Sequence, residues 1–318
     1  MNNDQAILDP MDLSPIDFNF DPNIGSSLRD RLRDFGDTFL RRPLYKLMYA
    51  KKFANLSYPI DLVLPEKGMS TLARRQWVNQ FKPLHEARVL VIGCGSAWDF
   101  GSYLKFHPRE IVGVDLYSFS SCWGQVQDYA RGASLPTKIK FIQSDIANLH
   151  NMNLGDFDLI CSDAVFEHCR ELENVLKTLY SLLSPSGIMY ASYGPLWYSW
   201  GGDHFSGRGG IEQGYNHLLL SSSEYQSYYQ THLKDDAFEL QNGGRYVELD
   251  LFSKLSSLEY IELYRKTKFH CKSLIAEFSQ CGEEALNNPN IYNQLAMLLP
   301  NLNRHDFILK SHIVLLSK

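Results

Sequence analysis

Residues 88–98 read RVLVIGCGSAW. A short, largely apolar run stops at Gly93-Cys94-Gly95-Ser96, the pattern of a buried strand running directly into a glycine turn. Glycines there let the chain bend tightly and bring its backbone up to a ligand at the N-terminus of the next helix. A second run, EIVGVD (110–115), ends in Asp115, twenty residues beyond Gly95. A carboxylate at that distance can accept both ribose hydroxyls of an adenosine.

Three more runs follow: IKFIQSD (139–145), FDLICSD (157–163) and GIMYASY (187–193). Strands this apolar belong to a sheet covered on both faces. Between the last two, Leu172, Val175, Leu176, Leu179, Leu182 and Leu183 recur at helical spacing before Pro185 and Gly187 stop the helix. The repeat predicts an α/β fold, a doubly wound and mostly parallel seven-stranded sheet with helices on both faces.

Helical additions flank this core. Residues 1–24 read as a flexible leader and 25–85 as a helical extension, with two helices broken near Pro43 and a third starting at Ser70 or Thr71 and ending at Pro83. Leu72, Trp77 and Phe81 give that third helix an apolar face. Residues 86–200 form the core. In 201–318, an acceptor lid and the last strands of the sheet are expected: helices at 222–232 and near 247–257, a strand EYIELYRKT (259–267), helix over 269–300 and a closing strand HIVLLSK (312–318).

Composition narrows the function. The chain has 318 residues, 36 acids against 31 bases, and 44% hydrophobic residues. A net charge of −5 lacks the basic excess of a nucleic-acid binder. No apolar run reaches the ~18–20 residues of a membrane span, so neither nucleic acid nor membrane is expected as a partner. The acidic N-terminal stretch has no signal-peptide pattern. Six cysteines without a CxxC pair read as buried thiols in a reducing compartment, hence a cytoplasmic protein.

A dinucleotide site wants a third fingerprint glycine for close helix–strand packing around a pyrophosphate. Trp98 stands there, which disfavours a nicotinamide-dependent oxidoreductase and fits an adenosine without a pyrophosphate. With VLVIGCGSA, VDLY, SDIANL, FDLICSDAVFEHC and LLSPSGIMYASYG in order, the chain resembles the class I S-adenosylmethionine-dependent methyltransferases over about 86–200 and the closing strand. The resemblance implies S-adenosylmethionine as cofactor. Gly93, Cys94 and Gly95 would lie along its methionine part, Asp115 and Leu116 at the ribose, Asp145 and Ile146 at the adenine, and Asp163 beside the methionine end. The family's first strand usually ends acid-x-Gly-x-Gly; here the acid's position holds Val91. That departure keeps open a non-catalytic binding or regulatory subunit of the same fold.

Ligands bind at the carboxyl ends of strands in such sheets. Tyr193, Trp197, Tyr198 and Asp203 therefore stand as acceptor-site candidates, on or after the fifth strand. Removing a proton from a hydroxyl acceptor needs a base, and histidine has an ordinary pKa near neutrality. His204, after two glycines, is the first candidate, and His168 the second. Asp163, Glu167, His168 and His204 could in principle gather a metal, but their spacing matches no metal motif, and none is expected. The expected activity is methyl transfer to an oxygen or nitrogen of a small molecule such as a natural product, sugar or other metabolite.

Overall fold

The computed structural model describes residues 12–233 and 252–318, apart from 16, 50, 54, 55, 57–59, 67 and 68. Its centre is one sheet with strand order β1-β7-β8-β6-β5-β2-β3-β4. The strands are β1 (Leu62–Pro65), β2 (Arg88–Ile92), β3 (Glu110–Asp115), β4 (Lys138–Gln143), β5 (Phe157–Asp163), β6 (Leu183–Tyr193), β7 (His270–Phe278) and β8 (Leu309–Ser317). All neighbours run parallel except β8, which is antiparallel to both β6 and β7.

Side-chain alternation along the strands splits the core in two. Leu90, Ile92, Val112 and Val114 point to one face, under α6 (Leu172–Leu182). Val89, Val91 and Ile111 point to the other, with α3 (Thr71–Phe81), α4 (Phe100–Leu104) and α5 (Ser120–Gly132). Both faces of the central strands are therefore dry, which is why the runs read as continuously apolar.

Register sets the site. Ile92 pairs with Ser162 on one side and with Val114 on the other. Gly93, Asp163 and Asp115 consequently fall side by side at the carboxyl edge. Asp163 in turn pairs with Ser192, just before Tyr193.

Several expectations need correction. The sheet has eight strands, not seven, because four residues of the N-terminal extension, too short a run to signal a strand alone, pair with β7. EYIELYRKT is part of helix α9 (Ser257–Lys266), not a strand. Ser256 and Glu259 form a reciprocal cap, and Tyr260, Ile261 and Tyr264 fall on one buried helical face. Residues 270–278, expected to be helical, are β7; the helices α10 (Gln280–Ala285) and α11 (Pro289–Leu298) start only after it. After the short α7 (Asn216–Leu219), the stretch 222–232 is helical as expected (α8, Ser222–His232), whereas the helix near 247–257 falls mostly outside the described residues.

Pro43 does not break its helix. A π turn over Asp37–Arg41 links α1 (Leu28–Gly36) to α2 (Arg42–Tyr49) and absorbs the proline near the start of α2. Nor is the described part of the leader loose. Leu13 donates to Ser118 O at 2.8 Å, the Asp12 carboxylate accepts from Ser120, and Phe20 packs against Tyr129.

Candidate active site

The turn after β2 is built as its glycines demand. Gly93 and Gly95 have φ of +64° and +47°, left-handed values that a side chain would resist. Gly95 donates its N–H to Asp115 Oδ2 at 2.8 Å, and Tyr117 N–H donates to Oδ1 at 3.0 Å. Burial pushes the Asp115 carboxyl up, against these two donors. Each of its oxygens keeps a lone pair for a further donor. Trp123, on α5, donates its indole N–H to Gly95 O at 2.7 Å while stacking flat on Phe141. Cys94 turns its thiol into the core, so only its backbone faces the edge. A side-chain carbon placed on Gly95 would meet nothing within 4 Å. That open space beside a strand-end carboxylate fits an adenosine-bearing group whose ribose reaches Asp115.

The other cofactor candidates sit along the same edge. Leu116 is half-buried next to Asp115. Asp145 is exposed and caps the 3-10 turn Ile146–Asn151, accepting from Ala147 N–H at 2.8 Å, while Ile146 packs onto the core. Trp98 is 53% exposed and packs no helix against the turn.

Asp163 is engaged by the protein itself. Its Oδ1 accepts from Tyr190 OH at 2.7 Å and Arg74 Nη1 at 3.1 Å, and its Oδ2 accepts from Arg75. Arg75 is fully buried, reaches Asp99 at 2.8 Å, and lies over the Tyr103 ring at 4.2 Å. Burial opposes ionisation of both carboxyls. Two arginines hold Asp163 below the usual range, whereas Asp99, with only one, stays above it. Val91 is buried on this same face. The carboxylates on this face are Asp99, at the start of α4, and Asp163, at the end of β5, and both pair with Arg75. Arg75, Asp99 and Trp123 were missed from sequence. Leu72, Arg75 and Val78 share one buried stripe of α3, and that spacing was the available signal for Arg75.

The acceptor-side candidates divide. Tyr193 and Asp203, expected at an open acceptor site, are instead closed into the core. Tyr193 is 2% exposed and is locked in a core relay: Tyr264 OH donates to it at 2.5 Å, and it bonds His312 Nδ1 at 2.9 Å. Asp203 is fully buried and accepts from Ser206 and Tyr225, with His217 3.6 Å away. Burial alone would raise its carboxyl; His217 and those donors hold it low. Tyr198 packs into a third cluster with α10–α12 (α12 being Arg304–Ile308). Trp197 is largely buried, edge-on to His217 and against Phe252.

What does converge is Glu167, His168 and His204. One ligand atom from each lies within 4.8 Å of the others. The two imidazoles stack at 4.9 Å, and Phe252 packs on both rings. Glu167 Oε1 accepts from Gly194 N–H at 3.0 Å; Glu167 Oε2 and His204 Nε2 are buried with no hydrogen-bond partner among the described residues. Two neutral imidazoles and a carboxylate are also a donor set that a divalent cation could use. Asp163, tied to its arginines, is not part of it. Burial dominates the protonation here. It pushes Glu167 up to about 8, His168 down to about 4, and His204, with His168 beside it, down to about 3. A histidine base titrating near neutrality is therefore not what the fold provides.

Because the Glu167 carboxyl is raised above its unfolded value, its contribution to stability is present below about pH 4.5 and lost as pH rises through about 8. Taken alone, this loss lowers the unfolding free energy by up to ~1.4 kcal/mol per pH unit; below about pH 6.5 the depressed His168 and His204 act in the opposite sense, so the net fall is expected between about pH 6.5 and 8. Glu167→Gln should flatten the fall; an equally steep decline in that variant would show that another group is responsible.

The loop after β6 is folded closely onto itself. Gly201, Gly202 and His204 donate backbone hydrogen bonds within it, Trp200 Nε1 donates to Ile211 O, and a side-chain carbon at Gly202 would meet Trp197 O at 2.1 Å. Gly194, Gly202 and Gly207 serve close packing there. Hydrogen exchange over 196–206 should accordingly be slow without any ligand, and fast exchange there would restore the lid.

Residues 90–191 match a family model described as a methyltransferase domain. Over 155 residues the chain is 28% identical to a malonyl-[acyl-carrier protein] O-methyltransferase of Priestia megaterium, covering 47% of this chain and 52% of that protein. Over 117 residues it is 25% identical to a sterol 24-C-methyltransferase of Debaryomyces hansenii, covering 37% and 29%. The chain thus spans about half or less of the length of these curated relatives. Among solved structures, an arsenic(III) S-adenosylmethionine methyltransferase from Chlamydomonas reinhardtii superposes with a TM-score of 0.45 at 20% identity, over 74% of this chain and 65% of that one. A phosphoethanolamine N-methyltransferase of Haemonchus contortus gives 0.44 at 15%, over 90% and 59%. Superpositions that loose add nothing to the sequence match and the strand order. The match to a methyltransferase domain over residues 90–191 and the strand order around it together support the class I S-adenosylmethionine-dependent methyltransferase reading.

Proposed function

We propose that this protein is a cytoplasmic methyltransferase acting on an oxygen or nitrogen of a small molecule. The observation that carries the reading is the carboxyl edge of the sheet. Asp115 and the open Gly93–Gly95 turn lie beside β5, and β5 leads directly into Glu167 and His168, which meet His204. When bound, S-adenosylmethionine supplies an electrophilic methyl group. Gly93 and Gly95 would lie along the methionine part and Asp115 would hold the ribose, with Asp145 and Ile146 at the adenine further along the edge. The Glu167–His168–His204 cluster would face the acceptor. Both imidazoles are neutral at physiological pH, so either can accept a hydrogen bond from the acceptor's hydroxyl or amine. Phe252 and Trp197 exclude water from one side of them. The absence of disulfides among the six cysteines fits a reducing compartment.

Calorimetry with S-adenosylmethionine tests the first half of this reading. One site per chain is expected, with Asp115→Ala weakening it at least ~10-fold, since two charge-assisted hydrogen bonds to the ribose are lost. No heat up to millimolar cofactor would instead favour the non-catalytic subunit that Val91 leaves open.

A further inference from the structure

The helix α1–α2 faces the wrong way for a helix whose only role is to pack on this protein. It runs without interruption from Leu28 to Tyr49 through the π turn, about 33 Å at 1.5 Å per residue. Neither α1 nor α2 has a buried residue. Its contacts with the body are polar or aromatic: Asp34 accepts from Ser70 OH at 2.8 Å, Asp37 is buried, and Tyr49 meets Phe278. Its apolar residues point outward. Leu28, Leu32, Phe35 and Phe39 follow the 4, 3, 4 spacing of one stripe; beyond the π turn, Leu40, Leu44 and Leu47 continue it, all between 53% and 79% exposed. Soluble proteins rarely leave so continuous an apolar stripe in water.

The charge along the same segment selects the occupant. Residues 28–52 hold eight Lys and Arg against three Asp, a local +5 in a chain of net −5. A second copy docking through this face would set +5 against +5, because a two-fold interface pairs identical patches. An anionic lipid surface accepts both features at once, the apolar stripe among the acyl chains and the basic residues among the headgroups. We propose that α1–α2 is an interfacial helix that seats this protein on anionic membranes. No helix among the described residues is long and apolar enough to cross one. Composition averaged over the whole chain hides this, since the remaining residues are acidic. The inference stands apart from the identity of the methyl acceptor.

The test is flotation of the full chain with vesicles of phosphatidylcholine alone and of phosphatidylcholine with 30% phosphatidylserine (roughly a cytoplasmic-leaflet charge). Binding is expected to the anionic vesicles, at least ~10-fold above the neutral ones, and to weaken in high salt. Phe35→Gln with Leu47→Gln should abolish it, and Arg29→Glu with Lys46→Glu should weaken it at least ~10-fold. These side chains are exposed, so unchanged melting would verify that each variant folds. Three results would overturn the proposal: equal binding to both vesicle types, binding that survives the substitutions, or no vesicle binding at all. In the last case, a concentration-dependent dimer lost in Phe35→Gln/Leu47→Gln would reassign the stripe to self-association.

Discussion

Replacing Arg75 with methionine should destabilise the folded protein by about 3–5 kcal/mol, the cost of leaving buried charges without their partner. Arg75 is fully buried between Asp99 and Asp163, and the rings of Tyr103 and Tyr190 lie within 4.2 and 5.2 Å of its guanidinium. Methionine fills much of the volume but supplies no charge, so the Asp99 carboxylate loses the one cation it pairs with among the described residues. Asp163 keeps Arg74 and the Tyr190 hydroxyl. Urea unfolding measures the loss. A change below ~1 kcal/mol would mean that water reaches the site and solvates the carboxylates. Because Asp163 lies level with Gly93, cofactor affinity should fall as well, whereas an exposed arginine such as Arg131, paired only with Asp128 on the surface, should matter little to either property.

Turnover should fall by roughly 10²–10⁴-fold in His204→Asn, the range for one proton-transfer group. Cofactor affinity should be nearly unchanged, since the proposed cofactor contacts, the Gly93–Gly95 turn and Asp115, lie elsewhere on the sheet edge. Asparagine keeps a hydrogen-bonding group but cannot take the acceptor's proton. The pH profile separates the roles. His204, held at about 3, is already neutral throughout the physiological range and contributes no limb near pH 6–7. Glu167, pushed up to about 8, ionises later, and its charge within the cluster strengthens the imidazole as a proton acceptor. Turnover in the parent should therefore rise through about pH 8, and Glu167→Gln should remove that rise. A limb at pH 6–7 that vanishes in His204→Asn would show a solvated, conventional histidine base. Near-normal turnover in His204→Asn, with a higher acceptor KM, would leave it only a pocket-shaping role.

The sheet and the glycine turn were legible because their signals are local. An apolar run of strand length, a glycine that must take positive φ and an acid at a strand end each declare themselves within a few residues. The same locality explains the errors. EYIELYRKT carries strand-favouring tyrosines, isoleucine and threonine, and the Ser256–Glu259 cap with the burial of Tyr260 and Tyr264 makes it a helix. Residues 270–278 needed β8, some forty residues on, before their backbone had a partner.

By itself the sequence determined the α/β class, the succession of core strands along the chain and the position of the glycine turn. Tertiary structure alone decided which charges are buried and what they can do. Asp163 meets Arg75 across 88 residues of chain, and Phe252 arrives beside His168 and His204 from a distant segment. Tyr193 and Asp203, polar and placed after a strand, were instead closed inside the core. The physical reason is desolvation: a group's basicity and its availability to a ligand depend on how completely its neighbours remove water, and those neighbours are chosen by packing, not by spacing along the chain.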